Sequence, residues 1–226
     1  KGWDLDLISQ HKNRSIESKK KLSCEKAQFH IFDLGKKDSI NSIVNNFETP
    51  DLIVANAGIA INGAIGDIKQ DEKEYYYYLM CGGVIDLIEG FIPKMLHKKN
   101  GRIVIISSIG AKVSMPKSSL YSSVKAGIYA YGKSISTELK NQNISVTVSL
   151  PGYVKTEAHE RAGLDHLLKK VPKWMWVTPE QVVMETEKAS LKGKLEIIPG
   201  KVYKIVKPFL NLKIAVSIWK MITKRN

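Results

Sequence analysis

The sequence predicts a doubly wound α/β fold, in which a parallel sheet lies between two layers of helices. Strand-like segments alternate with helical patterns along the chain, and this alternation is typical of βαβ units. Three of the strand candidates, LIVAN, RIVIIS and SVTVSL, are short, β-branched and apolar or nearly so, as expected of strands that helices cover on both faces. The predicted strands cover residues 3–9, 28–34, 52–56, 102–107, 145–150 and 195–198.

Helical periodicity and end signals mark the connections between these strands. The longest pattern ends in HKKNG at residues 97–101, which places cations in the last turn and a glycine after it. Thr178 and Pro179 are typical of an N-cap followed by proline at the first helical position. The predicted helices cover residues 36–47, 72–97, 120–140 and 178–191.

One domain, residues 1–200, followed by a basic tail, residues 201–226, accounts for the chain. A length of 226 residues with 43% hydrophobic side chains suffices for a single buried core. The tail has lysines and an arginine but no acid, so two interpretations stay open for it. It either lies on an anionic membrane surface or forms a helix that packs on its own domain or on a second subunit. With no signal peptide and no apolar run long enough to cross a bilayer, we expect a cytoplasmic protein, with membrane association through the tail as the alternative.

The composition argues against several classes of function. The formal charge is +13, but the lysines are scattered and are not interleaved with aromatic residues, so nucleic-acid binding is not predicted. Cys24 and Cys81 lack CxxC spacing, which argues for a reducing compartment and against a disulfide framework or a zinc site. The five histidines show no ligand-like pairing, so we predict no metal site.

Four short motifs fall at or just beyond the carboxyl ends of predicted strands. They are NAG at residues 56–58, the serine pair at 107–108, Tyr121 with Lys125 at the start of the next helix, and Pro-Gly at 151–152. Open α/β sheets bind their ligands at this edge. We therefore expect the four motifs to converge on one site.

The residue types in these motifs suit acid/base chemistry at a carbonyl or hydroxyl group. A free tyrosine has a pKa of about 10 and is a poor base unless a nearby cation favours the phenolate. Lys125 lies four residues after Tyr121, on the same helix face, and Ser108 is placed to hold a substrate oxygen. Each feature alone is common, as a surface pair or a helix cap, so the hypothesis depends on their combination and order.

In this combination the sequence resembles the short-chain dehydrogenases/reductases. The resemblance covers nearly all of residues 1–200. It implies a Rossmann-like, three-layer α/β/α fold, a nicotinamide dinucleotide cofactor, a small-molecule substrate, and a homo-oligomer formed through the two long helices. The motifs that carry it are DL at 33–34, ANAG at 55–58, GRIVIISSIG at 101–110, YSSVK at 121–125 and LPGYVKT at 150–156.

The resemblance also implies roles for individual residues. Tyr121 would be the general acid/base, Lys125 would lower its pKa and bond the nicotinamide ribose, and Ser108 would orient the substrate oxygen. Ser108 and Tyr121 are thus the implied substrate-binding residues, and Asp33 matches the position that contacts the adenine ring. The other implied cofactor-binding residues are Asn56, Ala57 and Gly58 on the adenosine side and Pro151, Gly152, Val154 and Thr156 in the loop that holds the nicotinamide amide.

Two departures from the family pattern matter. The glycine-rich turn that follows the family's first strand has no counterpart, and the chain starts in what resembles the second strand, so we expect an N-terminally truncated sequence that binds dinucleotide poorly. The family's usual active-site asparagine falls at Met80, which has no side-chain amide to hold a water. These departures motivate an alternative function, a catalytically weak relative that binds dinucleotide or acts through its basic tail on a membrane or partner.

Two further segments bear on the choice of cofactor and on the class of substrate. The segment LISQHKNR offers Lys12 and Arg14 but no acid at the end of the second family strand, which favours NADP, with NAD as the alternative cofactor. The alternative for these cations is a solvated helix start. Residues 157–177 resemble the family's variable substrate lid, and their leucines, tryptophans and cations fit either a lipophilic substrate with an anionic end or simple core packing.

Overall fold

The secondary structure comes from a computed structural model, which describes residues 2–22, 26–61, 63–113, 116–156 and 171–206. The strands are β1 Leu5–Ser9, β2 Ala27–Ile31, β3 Leu52–Ala55, β4 Gly101–Ile106, β5 Ile144–Ser149, β6 Tyr153–Val154, β7 Trp176–Val177 and β8 Glu196–Ile197. The helices are α1 Lys12–Lys21, α2 Lys37–Asn46, α3 Gln70–Tyr77, α4 Gly83–Lys98, α5 Ser119–Glu138, α6 Pro179–Leu191 and α7 Lys201–Val206.

Every strand pair in the described part of the chain is parallel, which confirms the predicted sheet type. Strands β3, β4, β5 and β8 are neighbours in that order, while β1 pairs with β2 and β6 pairs with β7. Among the described residues no strand pairing joins β1 to β3. The expectation of a further strand near the amino terminus stays a prediction.

Helices cover both faces of the four-stranded sheet, as the doubly wound fold requires. On β5, Val148 packs against Gly132 of α5, whereas the Ser149 hydroxyl lies 2.8 Å from the Thr186 hydroxyl of α6. Because consecutive residues of a strand point to opposite faces, α5 and α6 lie on opposite sides of the sheet. The three-layer α/β/α prediction is confirmed.

The long helix predicted for residues 72–97 is interrupted in the structure. α3 ends at Tyr77 and α4 begins at Gly83, and Tyr78–Gly82 form one π turn in which the Gly83 N–H donates to the Tyr78 carbonyl. A π turn inserts an extra residue into the helical register and often lies at a functional site. This one contains Met80.

The predicted N-terminal signal of α6 and the basic last turn of α4 are confirmed, whereas the predicted glycine stop of α4 is wrong, because Gly101 begins β4. The Thr178 hydroxyl accepts a hydrogen bond from Gln181 N at 3.2 Å, and Pro179 is the first residue of α6. α4 ends at Lys98 with two basic residues in its last turn, and Lys99, its C-cap, adopts the left-handed conformation with φ of 49°. Only the start of α1 was raised from the sequence, as the solvated alternative at Lys12 and Arg14, because KNRSIESKKK contains a single apolar side chain and therefore has no apolar stripe.

The first residues of the predicted tail belong to the packed domain. Residues 201–206 form α7, and Tyr203 packs in an apolar cluster that includes Leu150 and Val177. Cys24 and residues 207–226 lie outside the described residues, so the two interpretations of the tail stay predictions. No helix within the described ranges is long and apolar enough to cross a membrane.

The close approach of α5 to β5 provides a test of the packing. A Cβ built at Gly132 would lie 2.5 Å from Val148 Cγ2 and 3.1 Å from Ile105 Cδ1, and both side chains are buried. Overpacking of this kind costs about 1–3 kcal/mol, so we expect Gly132→Val to lower the free energy of unfolding by about 2 kcal/mol in urea titrations.

Ser134→Val is the matched control, because Ser134 is exposed on the same helix. We expect it to change the free energy of unfolding by less than about 0.5 kcal/mol. Equal losses in the two variants would show that the helix propensity of valine, and not the contact with β5, is responsible.

Candidate active site

Lys125 is the buried centre of the candidate site. The residue is 6% exposed, and its Nζ donates to the carbonyl oxygen of Ile106, the last residue of β4, at 3.0 Å. The main-chain oxygen of Lys125 accepts a hydrogen bond from the Ser107 hydroxyl at 2.8 Å. Side chain and backbone of Lys125 are thus both fastened to the carboxyl end of β4, and α5 is fixed over that strand.

Burial changes the acidity of this lysine. Removal of the ammonium group from water lowers the pKa of Lys125 to about 8, and the nearby Cys81 opposes this shift. Burial also raises the pKa of the Cys81 thiol, so the sulfur stays protonated near neutral pH. At pH 7 Lys125 therefore still carries its positive charge for most of the time.

The NAG motif and the π turn meet at Lys125. A Cβ built at Gly58 would lie 3.6 Å from Lys125 Nζ and 3.5 Å from Met80 Sδ. Gly58 itself is exposed. Because glycine has no side chain, only backbone atoms lie next to the ammonium group of Lys125 on this side.

Met80 takes the position where the resemblance expects asparagine. The residue is 1% exposed, and its Sδ accepts the Ile59 N–H at 3.5 Å. A thioether is a weak acceptor and has no N–H to donate. The predicted loss of an amide at this position is thus accompanied by a contact that holds the loop after NAG onto the π turn.

Ser108 and Tyr121 both lie beside Gly110, on the side where a Cβ would project. Ser108 precedes a 3₁₀ turn, Ile109–Ala111, and its hydroxyl accepts the Gly110 N–H at 3.1 Å. A Cβ built at Gly110 would lie 3.4 Å from the Ser108 Oγ and 3.2 Å from Cε1 of Tyr121. Because Tyr121 precedes Lys125 by one helical turn, the serine hydroxyl, the phenol ring and the ammonium group occupy neighbouring places at the edge of the sheet.

The Pro-Gly loop joins this group through backbone hydrogen bonds. The carbonyl oxygen of Pro151 accepts the Ile109 N–H at 2.9 Å, directly beside Ser108. Gly152 and Val154 are half-buried, with Val154 in β6, whereas Thr156 is exposed. The predicted nicotinamide loop therefore starts next to the predicted substrate-binding serine.

Asp33 contacts a different set of residues, after the end of β2. Its Oδ1 accepts the Gly35 N–H and the Tyr75 hydroxyl, each at 3.0 Å. Burial of Tyr75 and the adjacent Asp33 carboxylate raise the pKa of the Tyr75 phenol, so this hydroxyl remains a donor. Asn56 and Ala57 follow β3 directly, with Asn56 exposed and Ala57 half-buried.

Two residues of the site, Tyr75 and Tyr203, were not predicted from the sequence, and Ser107 was predicted only as part of the serine pair, without a role of its own. Ser107 belongs to the recognised serine pair, and the alternation of a strand would have pointed the two side chains in different directions. Tyr75 lies in a run of four tyrosines in which nothing distinguishes one from the next. Tyr203, which bonds to the loop after β5, carries no local signal at all.

Sequence comparisons identify the family to which the chain belongs. The family model described as short chain dehydrogenase matches residues 1–166. The chain is 32% identical over 150 residues to dehydrogenase/reductase SDR family member 7B of Xenopus tropicalis, covering 62% of this chain and 48% of that protein. It is 30% identical over 167 residues to 3-oxoacyl-acyl-carrier-protein reductase FabG of Chlamydia muridarum, covering 70% and 67%. The chain spans about half the length of the SDR family member 7B proteins it matches.

A solved structure shows the same fold. The short-chain dehydrogenase from Sphingobium yanoikuyae in complex with NADPH superposes with a TM-score of 0.81 at 20% sequence identity, covering 96% of this chain and 86% of that one. At this identity the likeness concerns the fold alone. Since the family model covers most of the sequence and the described strands and helices follow the same architecture, the chain belongs to the short-chain dehydrogenase family.

Proposed function

We propose that this chain is an oxidoreductase that transfers a hydride between a nicotinamide dinucleotide and an alcohol or carbonyl carbon of a small substrate. The observation that carries the proposal is that Ser108 and Tyr121 both lie beside Gly110, just after the end of β4. Lys125, one helical turn after Tyr121, is bonded to the last residue of that strand. A hydroxyl, a phenol and a buried ammonium group in this order supply a hydrogen-bond donor, a proton carrier and a charge that favours the phenolate.

Proton movement in the reducing direction assigns one task to each side chain. The Ser108 hydroxyl donates a hydrogen bond to the substrate carbonyl oxygen and orients it. Tyr121 gives its phenolic proton to the same oxygen as the carbon gains a hydride, so the product is an alcohol and Tyr121 is left as phenolate. Lys125, positively charged at neutral pH, stabilises that phenolate from the next turn of the helix. In the oxidising direction each transfer is reversed.

The residues around Lys125 fit a dinucleotide. Gly58 lies exposed beside the ammonium group and has no side chain to keep a ligand away from it. The loop that begins at Pro151 is fastened beside Ser108, where the resemblance expects it to hold the nicotinamide amide. A bound nicotinamide dinucleotide would supply or accept the hydride, while Asp33 would face the adenine ring and Asn56 to Gly58 would line the adenosine side.

NADP is the proposed cofactor, with NAD as the alternative. After β1, Gln10, His11 and Lys12 are exposed, and the first turn of α1 contains no acid. A cation at a helix N-terminus is electrostatically unfavourable without an anion nearby, and a 2′-phosphate would be such an anion. Solved structures with this fold hold NADPH, NADP or NADH, which is compatible with NADP and with the alternative NAD.

The substrate proposal keeps both alternatives of the sequence. Met175 is 1% exposed and Trp176 stacks near Tyr153, which fits core packing, whereas Trp174 is 56% exposed and fits contact with a lipophilic ligand. Residues 157–170 of the same segment lie outside the described residues. We also propose a homo-oligomer through the long helices. Peripheral membrane contact is proposed for the part of residues 202–226 that follows α7, because residues 202–206 belong to that helix.

Met80 favours a second candidate function. The thioether that replaces the usual amide is buried and engaged with Ile59, so it cannot donate to a water in a proton relay. A chain with this substitution could bind a dinucleotide and turn it over slowly or not at all. It would then act through cofactor binding, a membrane surface or a protein partner.

Tyr121→Phe distinguishes the two functions. The phenylalanine ring keeps the contact with Gly110 but cannot carry a proton, so we expect turnover to fall by about 10²- to 10⁴-fold while the NADPH dissociation constant changes less than about threefold. The measurement is NADPH oxidation with whichever compound reacts fastest in a panel of short- and long-chain ketones, alongside fluorescence titration of NADPH. Unchanged turnover in the variant would contradict the role of Tyr121. A parent protein that binds NADPH but oxidises it with no ketone would support the second candidate.

The lowered pKa of Lys125 predicts a pH effect on stability. Between the folded value of about 8 and the ordinary value of 10.5, the unfolded chain holds a proton that the folded chain has lost, so stability rises with pH. We expect the difference in free energy of unfolding between the parent and Lys125→Met to rise over pH 8–10, by up to about 1.4 kcal/mol per pH unit. Lys133→Met, at an exposed position of α5, is the control and should show no such rise. A flat difference for Lys125→Met would contradict the buried charge.

Lys12→Glu tests the choice of cofactor. If Lys12 faces the 2′-phosphate, reversal of its charge should raise the NADPH dissociation constant by about tenfold and leave that of NADH unchanged or lower, as fluorescence titration would show. Lys19→Glu, at an exposed position near the other end of α1, is the control. Equal weakening of NADPH and NADH by Lys12→Glu would argue against a phosphate contact at this position.

A further inference from the structure

Tyr203 lies where three segments meet at the loop after β5. The residue is 1% exposed and belongs to α7. Its hydroxyl donates to the Met175 carbonyl at 2.6 Å and accepts the Tyr153 N–H at 3.0 Å. One phenolic oxygen therefore joins β6 to the turn that precedes β7.

The ring of Tyr203 fills the space behind Gly152. A Cβ built at Gly152 would lie 2.0 Å from Tyr203 Cζ and 2.4 Å from its hydroxyl oxygen. Only glycine fits at this position while the ring is in place. The loop thus rests directly on the tyrosine over two successive residues, at Gly152 by contact and at Tyr153 by a hydrogen bond.

α7 is bound to α6, so the helix that bears Tyr203 is held in place. The Glu185 carboxylate lies 2.6 Å from Lys204 Nζ and accepts the Gly200 N–H at 3.4 Å. Although burial opposes it, hydrogen bonding to Lys204 and Gln181 lowers the pKa of Glu185, so the carboxylate stays charged at neutral pH. Burial raises the pKa of Tyr203, and its hydroxyl therefore remains a donor to Met175 throughout the neutral range.

We propose that Tyr203 is a positioning residue that holds the loop at residues 151–156 in the conformation needed at the nicotinamide end of the cofactor. This inference rests on the proposed function, which assigns that loop to the nicotinamide amide. Tyr203 touches the loop from behind, and its effect on the cofactor passes through the backbone at Gly152 and Tyr153. Interactions of this kind place binding groups to within fractions of an ångström.

The hydroxyl is the part of Tyr203 whose removal separates positioning from packing. Tyr203→Phe keeps the ring against Gly152 and leaves the Tyr153 N–H and the Met175 carbonyl without their shared partner. The loop keeps other backbone links, among them Lys155 N to the Val177 carbonyl at 3.0 Å and Ile109 N to the Pro151 carbonyl at 2.9 Å. We therefore expect the variant to fold with a loosened segment around Tyr153.

Two measurements on the full chain test the proposal. Amide hydrogen exchange on the cofactor-free protein should be at least about tenfold faster in peptides that contain Tyr153 of Tyr203→Phe, and unchanged in peptides from α4. NADPH should bind about three- to tenfold more weakly to the variant, because loss of the hydroxyl's two hydrogen bonds lets the loop move away from its position at the nicotinamide. Adenosine 2′,5′-bisphosphate, which contains the adenine and the 2′-phosphate but no nicotinamide, should bind with unchanged affinity.

Controls separate a local effect from general destabilisation. Tyr131→Phe removes a phenol of α5 that donates to Glu89 of α4 at 2.7 Å. This variant should change the affinity for neither NADPH nor adenosine 2′,5′-bisphosphate. Glu185→Gln is a second variant for the case that Tyr203→Phe does not fold. It removes the negative charge that binds Lys204. It should weaken the binding of NADPH, by less than Tyr203→Phe does, and leave the binding of adenosine 2′,5′-bisphosphate unchanged.

The possible outcomes distinguish this inference from the proposed function. Equal weakening of NADPH and adenosine 2′,5′-bisphosphate, or unchanged exchange at Tyr153, would overturn the positioning role while leaving an NADPH-binding parent intact. Since weak dinucleotide binding is expected of this sequence, a parent protein that binds neither ligand even at millimolar concentration would overturn the proposed function, and the assignment of Tyr203 to cofactor positioning with it. Selective weakening of NADPH together with faster exchange supports both.

Discussion

A buried ammonium group needs hydrogen-bond acceptors, and the way Lys125 meets this need determines the arrangement of the candidate site. An unpaired charge in the protein interior is costly, so the lysine can be buried only where a free acceptor lies within reach. The carbonyl of Ile106 at the end of β4 provides one. Since Ser107 also bonds to the backbone of Lys125, α5 is held against β4 both along its axis and in its rotation about that axis. Tyr121, one turn earlier, is then held over Gly110.

The ends of the strands explain why much of this site could be predicted. In parallel strands β4 and β5 the register pairs Ile106 with Ser149, so the residues that follow each strand emerge at the same edge. That geometry follows from the sheet type alone, and the sheet type follows from the alternation of short apolar strands with helices. The proximity of Ser108 to Tyr121 and the position of Pro151 beside them are consequences of it. The order and spacing of the motifs along the sequence were therefore sufficient to predict that Ser108, Tyr121 and Pro151 lie close together.

Other features depend on contacts between segments distant in the sequence. The π turn at Tyr78–Gly82 differs from an α-helix by one residue of register, and the helical periodicity of residues 72–97 continues through it. The contact of Met80 with Ile59 arises because this turn faces the loop after NAG. The burial of Tyr203 is of the same kind, since only the fold brings α7 under the loop after β5. The sequence pattern of a single segment contains no information about such contacts between distant segments.

The contact between Gly152 and Tyr203 also constrains how chains of this type can change over evolutionary time or by design. With the tyrosine ring 2.0 Å from the place of a Cβ, any larger residue at position 152 requires a smaller one at position 203. The two positions should therefore vary as a compensating pair, even though one lies in a loop and the other in the last described helix. An engineer who transplants this loop into another scaffold would have to carry α7 along with it.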